Sequence, residues 1–202
     1  KKVYNDKSIV KIYEPKDFVC MAKAGHVAAT ILDEIAPHIF VGQTTGEIDR
    51  IITGMVIAHG AKSATIGYKG YQHASCISVN HVVCHGIPAD KRIKEGDILN
   101  IDVTVILDGW FGDTSRMYVA GKLARRSERL IQVTHDALFK GISAVKPGNT
   151  FGDIGNAIQT YVEEHRMSVV KDFCGHGLGQ VFHAPPNVLH YGRPGTGPVL
   201  EE

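Results

Sequence analysis

Residues 100–117 read NIDVTVILDGWFGDTSRM, and the fold turns on them. Ile101, Val103, Val105 and Leu107 alternate with Asp102, Thr104 and Ile106, the period of two that sends apolar residues to one face of a strand. Asp108-Gly109 is a hairpin signal, and a second strand is expected over about Gly112–Val119. Folding back about that turn draws Asp113 toward Asp102, either directly opposite at about 4.5–5.5 Å between Cβ atoms or diagonal at about 7–8 Å. Two carboxylates at that range among β-branched residues repel one another and lose hydration. A cation between them, or a shared proton, relieves both penalties. The plainer alternative makes one of them a turn residue and the other a surface charge, Asp being depleted in strand interiors but not excluded.

The surrounding chain is that of an ordinary globular protein. It has 202 residues, 44% of them apolar and 21% charged, enough for one large domain or two small ones. A net charge of +1 gives no support to a nucleic-acid or membrane surface. No apolar run approaches the roughly 18 residues of a spanning helix, and no signal-peptide pattern opens the chain. Cys20, Cys76, Cys84 and Cys174 are scattered without a CxxC pair, which fits reduced thiols in a cytoplasmic protein better than a zinc ribbon.

Working outward, residues 1–14 are expected to be a lead-in without a fold of its own, and 15–202 a single domain with halves at about 15–120 and 121–202. Phe18, Met21, Ala22, Gly25, Ala29, Leu32 and Ile35 fall at helical spacing between Pro15 and Pro37. Thr44 and Glu47 form a capping box ahead of Ile48, Ile51, Ile52, Met55 and Val56. Short strands are expected over Ala64–Tyr68, Ser75–Val79 and His81–Cys84. After the hairpin, Ser127 is expected to cap a helix carrying Leu130, Val133, Ala137, Leu138 and Ile142, and Thr150 a further one. An offset of 106 residues aligns Gly42, Thr44, Gly46, Glu47 and His59 with Gly148, Thr150, Gly152, Asp153 and His165. Any capped amphipathic helix would reproduce part of this match. The recurring order of elements favours two αβ halves with approximate two-fold symmetry, an α+β fold whose curved, mainly antiparallel sheet is covered by helices on its outer face.

Most of the 11 histidines have ordinary explanations. His26, His59, His135 and His165 fall on helices as capping, exposed or core residues, and His38, His73 and His81 in turns with no partner visible. His85 differs, closing an apolar run just before Gly86-Ile87-Pro88, and so does His176, flanked by Gly175, Gly177 and Gly179 with His183 seven residues on. Glycines there remove the Cβ atoms that would hold a ligand away. Two aspartates and a histidine make a mixed oxygen and nitrogen donor set, better suited to Mn, Fe, Co or Zn than to Ca or Mg. Paired carboxylates suit two metals that activate one water for hydrolysis, with neutral histidines left to move a proton or donate to a carbonyl. No GxSxG elbow supports a serine triad; a cysteine nucleophile at Cys84 or Cys174 is the competing enzyme chemistry.

VNHVVCHGIP (79–88), the hairpin stretch, and CGHGLGQVFHAPPNVLHYG (174–192) together resemble the type I methionine aminopeptidases of the pita-bread fold, from about Pro15 to Leu200. The resemblance implies removal of the initiator methionine from nascent proteins with a small second residue, using one or two divalent metals. It implies Asp102, Asp113 and His176 as metal ligands and His85 and His183 as histidines that contact the substrate. It makes Tyr68, Tyr71, Cys76 and Phe182 the lining of the methionine pocket, where a thioether packs well against aromatic edges and soft sulfur. A backbone loop near Asn80 would hold a monovalent cation. The implied partners are peptide N-termini and the ribosome, for a cytoplasmic monomer without membrane or nucleic-acid contacts. Thr65 stands where the family commonly has Cys, and Gln72 where it has Pro. The family's last two ligands are glutamates beyond the end of this sequence; Glu201 and Glu202 are not assigned to them, and the 202 residues alone, read as a fragment, are expected to turn over poorly. Two other functions compete: a proline-specific dipeptidase, whose extra N-terminal domain has no counterpart here, and a catalytically silent binding module, which the presence of all three ligand residues argues against.

Overall fold

The hairpin forms as its sequence predicts. In the computed structural model, which describes residues 10–201, β3 (Ile98–Leu107) and β4 (Trp110–Val119) pair antiparallel with Leu107 opposite Trp110. Most of the expected lead-in, residues 1–9, and Glu202 lie outside the described residues. Asp108 and Gly109 both have positive φ, 50° and 82°, the requirement of a type I′ turn and the reason that Asp-Gly suits a two-residue loop.

Contacts divide the chain into two units, of which one comprises 13–127 and 178–182. At its centre β3 has β4 along one edge; along the other, β2 (Ser75–Val79) pairs with 99–103 and β1 (Lys62–Ser63) with 105–106. Ile101, Val103 and Val105 are fully buried beneath α1 (Pro15–Ile35) and α2 (Thr45–Ala58). The buried stripe of α1 is Ala24, Ala28, Ile31, Leu32 and Ile35, rotated from the expected one, and Phe18 is 57% exposed. Backbone proximity accounts for the small residues in its first half. A Cβ on Gly112 of β4 would lie 2.2 Å from the Ala24 carbonyl oxygen, so β4 lies against the α1 main chain where Ala24 and Ala28 leave room, while Ile31, Leu32 and Ile35 fill the core further along.

Two expected strands do not form. Ala64–Tyr68 gives way to the short β1 and a 3-10 turn at Tyr68–Gly70, because Gly67, Lys69 and Gly70 all take positive φ. His81–Cys84 is irregular, bracketed by Asn80 and His85, each at φ 55°; left-handed residues break a pleated ladder.

The other unit comprises 10–12, 128–177 and 183–201. It holds most of α3 (Arg125–Ser143), then α4 (Phe151–Glu164) and the antiparallel pair β5 (Gly175–Gly177) and β6 (Ala184–Val188). Ser127 does not cap α3; it lies inside the first turn and its N–H donates to the Ala124 carbonyl. Val133, Ala137 and Val162 form the buried centre between α3 and α4.

The 106-residue offset is a structural equivalence within the chain. Thr44 and Thr150 each close a full capping box, with Glu47 and Asp153 respectively. The glycines two residues before them have φ 94° and 88°. His59 and His165 are the C-caps, followed by left-handed Gly60 and Arg166 at 68° and 60°, the helix-ending geometry of a C′ residue.

Gly112→Ala tests the close approach of α1. With α1 backbone in the way, the variant is expected to lose about 2–4 kcal/mol of stability in urea unfolding; a loss below about 0.5 kcal/mol would mean that the helix yields without resistance.

Candidate metal centre and substrate pocket

The β3–β4 register decides the relation of the two carboxylates. Asp102 pairs with Ser115, and Asp113 with Thr104, so the aspartates share one face on a diagonal rather than standing opposite. Thr104, 3% exposed, donates its hydroxyl to Asp113 Oδ1 at 3.0 Å. Burial first, then the charge of Asp113 and a hydrogen bond between the two carboxyls, push the Asp102 carboxyl up to about 7. Near neutrality the pair therefore retains a proton that exposed carboxylates have lost. Oxygen donors held together at this strain fit a divalent cation, which would displace the proton and neutralise both groups. Within neither unit do the described residues gather three or more His, Cys, Asp or Glu side chains as a metal cluster.

Next to the carboxylates lies an aromatic and thiol group. Cys76 of β2 stands opposite Asp102 on β3, and its side chain meets the Tyr71 hydroxyl. That hydroxyl also donates to the Ser75 carbonyl at 2.9 Å, and burial raises its pKa. The Tyr68 and Phe182 rings lie 4.9 Å apart between centroids, and Phe182 stacks on Phe111 at 5.6 Å. Phe111 escaped the sequence reading; its one signal was an aromatic side chain just past the hairpin turn.

Tyr13 corrects the view of the lead-in. Its ring packs 5.3 Å from Trp110 and its hydroxyl accepts the Gln180 N–H at 3.2 Å. The Phe111 N–H donates to the Gly179 carbonyl at 2.8 Å. Together these hold the 178–182 segment that carries Phe182. A cleft of about 610 Å³ lined by Phe40, Gln43, Arg50 and Arg92 among others shares no residue with this group.

His85 sits in the left-handed region, a strained place for a histidine that costs on the order of 1 kcal/mol. Gly86 keeps it there. The Ile77 N–H donates to the Gly86 carbonyl at 2.8 Å, the Gly86 N–H donates to Ser78 Oγ at 3.1 Å, and a Cβ on Gly86 would lie 2.2 Å from the Ile77 oxygen. Burial raises the Cys76 thiol, and burial with the nearby Asp102 charge raises Cys84. Neither favours the thiolate, which removes the support for Cys84 as a nucleophile.

In the other unit, His176 lies on β5 beside a bulge and His183 just before β6; their ring centroids are 4.5 Å apart. His176 Nδ1 is 2.9 Å from the Gly177 carbonyl, so Nδ1 carries the hydrogen and Nε2 the lone pair of the neutral ring, the orientation a ligating histidine needs. A Cβ on Gly177 would fall 2.3 Å from the Pro185 oxygen. Gly177 thus serves first to let β5 and β6 approach.

A profile of Metallopeptidase family M24 matches residues 19–202. The chain is 54% identical over 193 residues to a methionine aminopeptidase of Rickettsia prowazekii, covering 96% of this chain and 74% of that protein. It is 47% identical over 194 residues to a methionine aminopeptidase of Escherichia coli, covering 95% and 74%. The crystal structure of the methionine aminopeptidase from Rickettsia prowazekii matches with a TM-score of 0.94, over 96% of this chain and 78% of that one.

The raised Asp102 carboxyl sets the sign of a pH effect in protein stripped of metal by chelation. Between about pH 4 and 7 the folded state keeps a proton that the unfolded chain has released, so this group's contribution to stability falls as pH rises through that window. Urea unfolding at pH 5 and pH 8 is expected to show a loss of roughly 1–3 kcal/mol that is absent in Asp102→Asn; equal losses in parent and variant would contradict the strained pair.

Proposed function

The chain belongs to metallopeptidase family M24, and we propose on that footing that it removes the N-terminal methionine from nascent proteins whose second residue is small. The observation that carries this reading is the strained Asp102–Asp113 pair, set beside Cys76, Tyr71, Tyr68 and Phe182 in one unit. A metal site alone would fit many hydrolases; a thiol and aromatic pocket beside it fits a thioether.

The family uses divalent metal, and in this reading the Asp102 and Asp113 carboxylates, with His176 as the family resemblance implies, would supply ligands to two ions drawn from Mn, Co, Fe or Zn. When bound, the metal supplies Lewis acidity and an acidified water for attack on the first peptide carbonyl. The protein's own groups do the rest. Asp102 and Asp113 supply negative charge at a fixed diagonal spacing, and Thr104 holds Asp113 in that setting through its 3.0 Å hydrogen bond. His85 or His183 would donate to the carbonyl oxygen as charge develops there, and the proton released by the attacking water would go to the departing amine. Tyr68, Tyr71, Cys76 and Phe182 receive the methionine side chain and keep water from it. Asn80, left-handed and bonded through its side chain to Asp97 and Ile98, shapes the turn whose carbonyls would take a monovalent cation. The protein acts as a cytoplasmic monomer on peptide N-termini at or near the ribosome. Among the described residues no helix is long and apolar enough to cross a membrane.

Protein expressed from its complete gene, stripped of metal and resupplied with Mn or Co, is expected to release free methionine from Met-Ala-Ser. His176→Ala should lower kcat/KM at least about a hundredfold. Cleavage of an X-Pro dipeptide with Met-Ala-Ser left intact would overturn the proposal in favour of a proline dipeptidase.

A further inference from the structure

The loop between β1 and β2 carries Tyr68 and Tyr71, and it contains both positions, Thr65 and Gln72, where the sequence departs from the family's usual residues. Neither departure is idle. Thr65 Oγ1 donates to the His73 carbonyl at 2.6 Å and lies 3.0 Å from Ser63 Oγ; the Gln72 side chain donates to the Gly70 carbonyl at 2.9 Å. His73, read from sequence as a turn residue without a partner, places Nδ1 3.1 Å from Asp49 Oδ2. Asp49 is a carboxylate on the inner side of α2, 6% exposed. Its other oxygen accepts both the N–H and the hydroxyl of Ser75, at 2.9 and 2.7 Å.

A carboxylate this buried needs each of those donors, so α2 dictates where His73 and Ser75 lie. Tyr71 hangs between them. Its ring meets the His73 ring edge-on at 5.6 Å, and its hydroxyl bonds the Ser75 carbonyl. Both ends of Tyr71 are thus attached to residues that Asp49 holds, while neither Asp49 nor His73 belongs to the aromatic and thiol group itself.

We propose that Thr65, His73 and Asp49 form a hydrogen-bonded clasp that positions Tyr71 and thereby sets how strictly the pocket accepts methionine as the first residue. This rests on the aminopeptidase reading above. His73 is a positioning residue: it acts through Tyr71 on the width of the pocket and leaves the chemical step alone.

The test compares parent, His73→Phe, which keeps a ring but loses the donor, and His73→Asn, whose side-chain N–H can replace Nδ1. Met-Ala-Ser and Leu-Ala-Ser are the substrates, with protein from the complete gene loaded with Mn. His73→Phe is expected to raise KM for Met-Ala-Ser about tenfold and to shrink the methionine-over-leucine ratio of kcat/KM about tenfold, with kcat within about twofold. His73→Asn is expected to recover most of both. A His73→Phe protein that loses kcat and thermal stability together while keeping the parent ratio overturns the proposal. Amide hydrogen exchange supplies a readout without activity: exchange in 64–74 is expected to quicken about tenfold in His73→Phe, with β3 and β4 unchanged. A parent inactive on Met-Ala-Ser would defeat the functional reading, and exchange would then judge the clasp; unchanged protection of 64–74 overturns it.

Discussion

A two-residue turn leaves Asp102 and Asp113 no freedom to part. With Asp108 and Gly109 both at positive φ, the hairpin has one register, and that register puts the two carboxylates on a shared face. A slip by one residue would exchange the faces and bury the carboxylates beneath α1 and α2. Ile101, Val103 and Val105 prevent it, each fully buried. The same core that stabilises the sheet therefore enforces an unfavourable pair of charges, a conflict expected at a functional site and hard to account for elsewhere.

The rest of the unit serves that arrangement. β2 contributes Cys76 opposite Asp102, and Gly86 packed on Ile77 holds His85 in its strained conformation. The 178–182 segment brings Phe182 to Tyr68 and Phe111 through contacts with Tyr13 and the start of β4. α2 reaches the pocket loop from the other side through Asp49. Backbone proximity matters throughout: Gly112, Gly86 and Gly177 each occupy a place where a methyl group would strike main chain.

What the sequence revealed follows from how far each interaction reaches along the chain. The hairpin, its two faces and the capping boxes at Thr44 and Thr150 depend on residues within a few positions, and all were legible. The repeat was legible because two local patterns recur at one offset. The buried stripe of α1 was misread because the choice of face depends on Gly112, almost ninety residues from Ala24. Tyr13, Phe111 and His73 were missed for the same reason, their partners being Gln180, Phe182 and Asp49. The strands expected at Ala64–Tyr68 and His81–Cys84 failed for another: apolar content suggested pleated ladders, while Gly67, Gly70, Asn80 and His85 adopt left-handed backbone. The assignment of metal-ligand and substrate roles came from resemblance to a family, since spacing alone left the alternatives open.

The hairpin keeps two carboxylates in conflict, and the purpose proposed for that conflict is to hold a divalent cation. The most direct measurement is the thermal unfolding midpoint of chelator-stripped protein with and without added Mn, for the parent and for Asp102→Asn. Mn is expected to raise the parent's midpoint by several degrees, as a ligand bound only by the folded state must, and to leave the variant's unmoved. An equal rise in both would show that the metal binds elsewhere and that the carboxylate pair has another purpose.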